Sequence, residues 1–363
     1  MDIVKMEKQA VKKIRSEGLT VSNSRLNTWR NCHKMHYFKY VMKLTPKVKG
    51  SALLRGSALH ECLEYYYSGK SWLKPYKAFK KDFNKKFLNE EKVLLGDLPQ
   101  MVYDLMRGYI ECYEDEDEEM EFLEQELEFT VSLGVPLLED EIKITGFIDF
   151  IAQKGNEIII GETKTHKRFP EYDVRLFNIQ SSIYAWVIRD VLKKYPKLKV
   201  SKIMWNYIKA KQPSKPQLLK DGKKLSKARI DSLPHIVYNT IKEYGLNPKD
   251  YQDLISAQTY DSFYRRDTIR IDNNVVNSVL EDARSTAKQI YEQPLLKDRN
   301  ISKNCAWCDY KNLCQAELCN PESDLDYLIK ADFEIRERKD EKNGKDKTKK
   351  EKFKQARTKG NRK

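Results

Sequence analysis

Apolar positions fall into different patterns along the chain, and the changes between them mark its organisation. Residues 1–50 read as a helical lead-in, with Asn27–Trp29 and Tyr37–Tyr40 as its aromatic parts. Leu53, Leu59, Leu63 and Tyr67 then recur at close to helical spacing over Ala52–Tyr67, and further helices are expected through about residue 113. The middle reads instead as three successive strands, Glu126–Leu133, Lys143–Ala152 and Glu157–Thr163. Ile158, Ile159 and Ile160 form the continuous β-branched run of a buried strand. Gly155–Asn156 suits a tight turn before it. Helices follow at Leu176–Leu192, 223–243 and 273–293, with strands at Lys202–Lys209 and Phe263–Ile271. This order predicts an α/β sheet core with a helical cap and a helical insertion at about 70–120, all within one domain spanning 1–335.

Composition adds constraints. The chain has 363 residues, 40% hydrophobic and 34% charged, enough for a sizeable core under a densely ionic surface. No apolar run approaches the roughly 18 residues of a membrane span, and the charged N-terminus lacks a signal core. A cytoplasmic protein is expected. Residues 336–363 hold 14 Lys/Arg against 5 Asp/Glu, or +9, which leaves +5 of the total +14 on residues 1–335. A basic balance favours polyanion partners. The tail itself is low in complexity and reads as disordered, either solubilising or adding affinity for DNA. Eleven acids between Glu111 and Glu128 read as a solvated helix face, away from any DNA path.

Seven cysteines without a secretion signal argue against a disulfide framework. Cys305 and Cys308 form a C-x₂-C, and Cys314 follows after five residues. Three thiolates so close suit zinc or an iron–sulfur cluster. The fourth ligand is Cys319 in a local zinc knuckle, or Cys32 in a long-range clasp. Cys62 and Cys112 lie in helical stretches and read as small hydrophobes.

Two predicted strands end in chemistry. The first ends Gly146-Phe147-Ile148-Asp149 and the second Ile160-Gly161-Glu162-Thr163-Lys164. One hairpin brings Asp149 and Glu162 together, two hard oxygen ligands suited to Mg²⁺ or Mn²⁺. Glu162 and Lys164 are i and i+2, so they share a face of their strand. Acids set inside apolar strands need a compensating partner, because burying a bare carboxylate is costly. Gln180-Ser181-Ser182-Ile183-Tyr184 follows on a helix, and Gly56-Ser57-Ala58-Leu59-His60 precedes on another.

Taken in order, these motifs resemble the RecB-like branch of the PD-(D/E)XK nuclease superfamily, with G-x-x-x-H, G-x-x-D, (D/E)-x-K and Q-x-x-x-Y. The resemblance covers about residues 32–314. It implies a restriction-endonuclease-like mixed β-sheet core flanked by helices, with N- and C-terminal helical segments joined by a cysteine clasp. It also implies His60, Asp149, Glu162 and the Thr163 carbonyl as ligands of Mg²⁺ or Mn²⁺. Lys164 would be the catalytic lysine, with Gln180 and Tyr184 positioning substrate. Lys167 and Arg168, just beyond, are either phosphate contacts or ordinary surface charge. AddB-like members hold a [4Fe–4S] cluster with one cysteine before the core and three after it, a layout matched by Cys32, Cys305, Cys308 and Cys314. Structural zinc is the alternative.

The function so implied is hydrolysis of DNA phosphodiesters leaving 5′-phosphates. The expected form is an exonuclease on single strands or DNA ends in recombination, repair or replication, in a bacterial or phage-infected cell. No P-loop is present, so any helicase or recombination protein would be a separate partner. A structure-specific endonuclease, a non-catalytic nucleic-acid-binding protein with a metal clasp, and a zinc-knuckle RNA binder are the competing readings.

Overall fold

The computed structural model describes residues 3–48, 50–137, 141–171, 178–191, 199–220, 222–226, 228–319 and 324–336. The tail expected to be disordered lies, from residue 337 on, outside the described residues. Two compact units emerge, one from 1–17, 27–48 and 289–363, the other from 18–26 and 49–288. The strands are β1 (Thr20–Val21), β2 (Leu44–Pro46), β3 (Glu121–Pro136), β4 (Glu141–Lys154), β5 (Glu157–His166), β6 (Lys199–Lys209), β7 (Tyr264–Arg270) and β8 (Phe333–Ile335).

In the larger unit, β3, β4, β5, β6 and β7 join in that order into a mixed sheet, and β1 also pairs with β4. β3–β4, β4–β5 and β6–β7 are antiparallel; β1–β4 and β5–β6 are parallel. A parallel step needs a crossover, and the helix Ile179–Val191 lies within it. The β4–β5 hairpin closes through Gly155 at φ +60°, the first central position of a II′-type turn.

β4 has two edges, and β3 occupies one of them along nearly its whole length. The other edge is shared. β1 pairs only with Lys143 and Ile144, and β5 only from Phe150 to Lys154. Residues 145–149 therefore have no registered strand partner on that side. The sheet splits there, and the chemistry predicted from sequence sits in the split.

Ile158, Ile159 and Ile160 are buried, as their pattern predicts. Helices Ser51–Tyr67 and Leu98–Glu118 contribute Leu59, Leu63, Val102, Leu105 and Tyr109 to a core shared with Phe150, Ile159 and Met204. The second helix starts where its sequence says it should: Asp97 accepts the Gln100 N–H at 3.1 Å, and Pro99 occupies the first turn. Packing around the hairpin is tight. A Cβ on Gly161 would lie 1.9 Å from the ring of its cross-strand partner Phe150, itself fully buried. Gly161→Ala is therefore expected to cost about 3 kcal/mol or more. Urea denaturation checks this, and a midpoint equal to wild type would contradict the packing.

Two sequence expectations fail here. The helix predicted over 223–243 begins only at Pro234, because proline favours the first turn and Leu233 before it is extended; further upstream Leu218 and Leu225 form an isolated bridge. The acidic run is not one helix face. Helix Leu98–Glu118 ends within it, and β3 begins at Glu121.

The smaller unit packs segments from early and late in the chain together. β2 and β8 pair antiparallel, Leu44 opposite Ile335. Tyr37, Phe38, Val41, Tyr310, Leu313, Ile329 and Phe333 form its core. The Tyr310 hydroxyl donates to the Leu44 carbonyl at 2.8 Å. Among the described residues no helix is long and apolar enough to cross a membrane.

Candidate active site

Three strands and two helices of the larger unit supply the cluster. The last registered pair of the β4–β5 ladder is Phe150↔Gly161. Beyond it, the Asp149 side chain takes over from the missing strand backbone: its Oδ2 accepts the Thr163 N–H at 2.7 Å. His60 Nδ1, from helix Ser51–Tyr67, lies 3.4 Å from the same oxygen, and His60 also reaches the Thr163 backbone. Burial pushes the Asp149 carboxyl up to about 7, outweighing the Thr163 N–H and Lys164, which lower it. Burial also pushes the His60 imidazole down, favouring the neutral form able to bind a cation.

Glu162 is only 2% exposed. Its Oε1 accepts from Gln180 Nε2 at 2.8 Å and from Lys164 Nζ. Its Oε2 is buried with no hydrogen-bond partner among the described residues. Burial first, and the neighbouring Asp149 second, push Glu162 up to about 7.

Gln180 and Tyr184 lie one turn apart on helix Ile179–Val191 and touch each other. The Tyr184 hydroxyl donates to the Phe147 carbonyl at 2.5 Å. That carbonyl belongs to the unpaired stretch of β4, so Tyr184 supplies a hydrogen bond the split sheet leaves open. Gly146 has its own reason: a Cβ there would meet the Phe129 ring at 2.8 Å. Lys167 and Arg168 are exposed just past β5.

One participant escaped the sequence reading. Glu126, taken as part of a solvated acidic face, stands on β3 opposite Asp149, between the pairs Gln125↔Phe150 and Leu127↔Ile148. Its backbone has φ +47°, a left-handed conformation unusual for glutamate. Ligand atoms of His60, Glu126 and Asp149 lie within 4.8 Å of one another. Only the β3–β4 register singles Glu126 out among its acidic neighbours, and that register depends on a turn length the composition does not give.

These residues fit a divalent cation. One imidazole nitrogen and several carboxylate oxygens converge, and one buried Glu162 oxygen lacks a partner, a cost that a cation would offset.

In the smaller unit, Cys32, Cys305, Cys308 and Cys314 line one cavity of about 320 Å³, together with Arg299 and Tyr310. Burial raises the Cys308 and Cys314 thiols, and the neighbouring Cys32 adds to both shifts. Cys319 is exposed, and Cys62 is buried in a helix.

A mixed sheet flanked by helices, with two acids and a lysine where its strands part, defines a restriction-endonuclease-like nuclease fold. The PD-(D/E)XK nuclease superfamily matches residues 20–315. The chain belongs to that superfamily. Among solved structures it is similar to a protein from Eubacterium rectale named "Putative exonuclease", at 12% identity and a TM-score of 0.44, over 82% of this chain and 91% of that one. It is also similar to a protein named SSO0001, at 12% identity and a TM-score of 0.33, over 87% of this chain and 97% of that one. No curated protein matches it.

Proposed function

We propose that this chain is a metal-dependent deoxyribonuclease of the RecB-like branch, acting as an exonuclease on single-stranded DNA or DNA ends. The observation that carries the reading is the convergence of His60, Glu126 and Asp149 ligand atoms within 4.8 Å of one another, next to a Glu162 carboxyl that feels both Asp149 and His60 and keeps one buried oxygen without a hydrogen-bond partner among the described residues. Asp149, Glu162 and His60 would hold Mg²⁺ or Mn²⁺, with the Thr163 carbonyl as a further ligand and Glu126 as an added carboxylate. A bound cation supplies Lewis-acid stabilisation of the phosphoryl oxygens and acidifies the attacking water. Lys164, tethered to Glu162 Oε1, keeps an ammonium beside the reacting phosphate, where it orients the water and offsets developing charge. Gln180 donates to the same Oε1 and so fixes the Glu162 carboxylate from a second element.

The four cysteines would hold a [4Fe–4S] cluster. Their lining of one cavity supports a shared ligand set, and the cluster is preferred to zinc because one cysteine before the core and three after it match the AddB-like layout. The cluster's task would be structural, tying the two chain ends into one unit.

End-labelled linear and circular DNA, single- and double-stranded, tests the reading with anaerobically purified protein. Degradation of linear substrates in Mn²⁺ or Mg²⁺, abolished by EDTA and by Asp149→Asn, is expected, together with a brown chromophore that Cys308→Ser loses. Cleavage of circular DNA would favour a structure-specific endonuclease. No cleavage of any substrate by cluster-loaded protein would overturn the enzymatic reading.

A further inference from the structure

Beyond Lys164, the larger unit carries a basic edge beside the carboxylate cluster, and the proposed mechanism does not use it. β5 and β6 are parallel, so their C-terminal ends lie side by side. Lys164 is in register with Tyr207, and His166 with Lys209. Registered neighbours share a face, so Lys209 lies on the face of Lys164, one side-chain repeat further along. β7 adds Arg265 opposite Tyr207. Its guanidinium lies 5.0 Å from the Phe169 ring and 5.5 Å from the Tyr207 ring, and it donates to the Pro170 carbonyl. Arg265 thereby fixes the segment that bears the exposed Lys167 and Arg168.

One acid restrains the far end of this edge. Asp231 Oδ2 accepts from Lys209 Nζ at 2.9 Å and from Lys211 Nζ at 2.7 Å. All three side chains are partly exposed, at 24% for Lys209, 48% for Lys211 and 27% for Asp231. A single carboxylate oxygen shared by two ammoniums leaves a net positive charge. It also stands where a phosphate oxygen would bind. Lys209 and Asp231 border a cavity of about 770 Å³, within the ~300–1,000 Å³ range of ligand sites. Tyr251 and Leu254 give it an apolar wall, Lys209 and Arg229 give it cations, and Asp250 and Asp253 add acceptors suited to base amino groups.

We propose that this edge is a track for a single DNA strand. The strand's phosphates run from Lys164 to Lys209 and Lys211, displacing Asp231, and a base enters the adjoining cavity against Tyr251. The proposal rests on the nuclease reading for its direction, but the track is a binding surface in its own right. Asp231 acts as a built-in competitor: it holds the two lysines in place without a strand and weakens the grip on one.

Fluorescence anisotropy of a labelled single-stranded oligothymidylate with the full chain, in EDTA and over a salt series, tests this. Lys209→Ala with Lys211→Ala is expected to weaken binding about tenfold and to flatten the log–log salt slope by about 1.4, the value for two lost contacts on single strands. Asp231→Asn is expected to tighten binding several-fold. Thermal melts of each variant exclude unfolding. Should the alanine pair melt early, the Asp231→Asn result decides alone. Wild-type affinity and slope in both variants would overturn the track. Cleavage of the same oligonucleotide in Mn²⁺ separates the two ideas. Wild-type cleavage with unshifted binding rejects only the track, whereas shifted binding without cleavage rejects only the nuclease.

Discussion

Glu162→Gln is expected to lower cleavage by at least ~10³-fold and yet to stabilise the metal-free protein at alkaline pH. The activity loss follows from removing the proposed charged oxygen ligand and the anchor of Lys164. The stability gain follows from linkage. In the metal-free fold Glu162 keeps its proton to about pH 7, whereas its ordinary value is 4.5. Its contribution is therefore fully present below pH 4.5 and is lost as the pH rises through about 7, because the folded state must then bury a charge or give up a proton late. Glutamine stays neutral throughout. At pH 8 the variant should exceed wild type by about 1–3 kcal/mol in EDTA, and saturating Mn²⁺ should stabilise wild type far more than the variant. Thermal melts from pH 5 to 8 with and without Mn²⁺ check both halves. Equal pH slopes for the two proteins would contradict the burial argument.

The second large effect lies outside the carboxylate cluster. Arg266→Met is expected to cost about 3–5 kcal/mol, because it strands a buried acid. The Arg266 and Asp117 side chains are each 4% exposed and meet at 2.8 Å. Arg266 also donates to Asn206 Oδ1 at 2.8 Å and to the Tyr109 hydroxyl at 2.7 Å. Tyr109 in turn shares a 2.5 Å hydrogen bond with Tyr67, which lies two turns beyond His60 on the same helix. The network thus ties the His60 helix to β6, β7 and helix Leu98–Glu118. Adding Asp117→Leu to Arg266→Met should recover much of the loss. A double-mutant cycle by urea denaturation measures the coupling, and additive single effects would show that the pair is not the cause.

Much of this was legible in the chain, and the residues say why. The isoleucine run at 158–160 and the turn at Gly155 announce β5, because burial and a positive φ each demand particular side chains. Asp149, Glu162, Lys164, Gln180 and His60 could be singled out because their spacings match a known order of motifs, and the structure brings them together. Glu126 could not. Its position depends on the β3–β4 register, and nothing local distinguishes it from Glu124 or Glu128. The error at 223–233 has a similar root: apolar residues such as Leu225 and Ile230 pack with Val237 and Ile241 of helix Pro234–Glu243 from outside it, not as turns of it. Asp117 was read as solvated because its partner, Arg266, lies 149 residues away.

The left-handed backbone at Glu126 sets backbone strain against the proposed metal site at a single residue. Glycine would adopt that conformation without strain, so Glu126→Gly relieves a cost of about 1 kcal/mol. The same change removes one of the carboxylates proposed to surround the cation. Anyone engineering this chain for heat resistance would find position 126 among the attractive substitutions, and a screen for stability alone would select against the carboxylate. A screen that also demands cleavage would keep the strained residue.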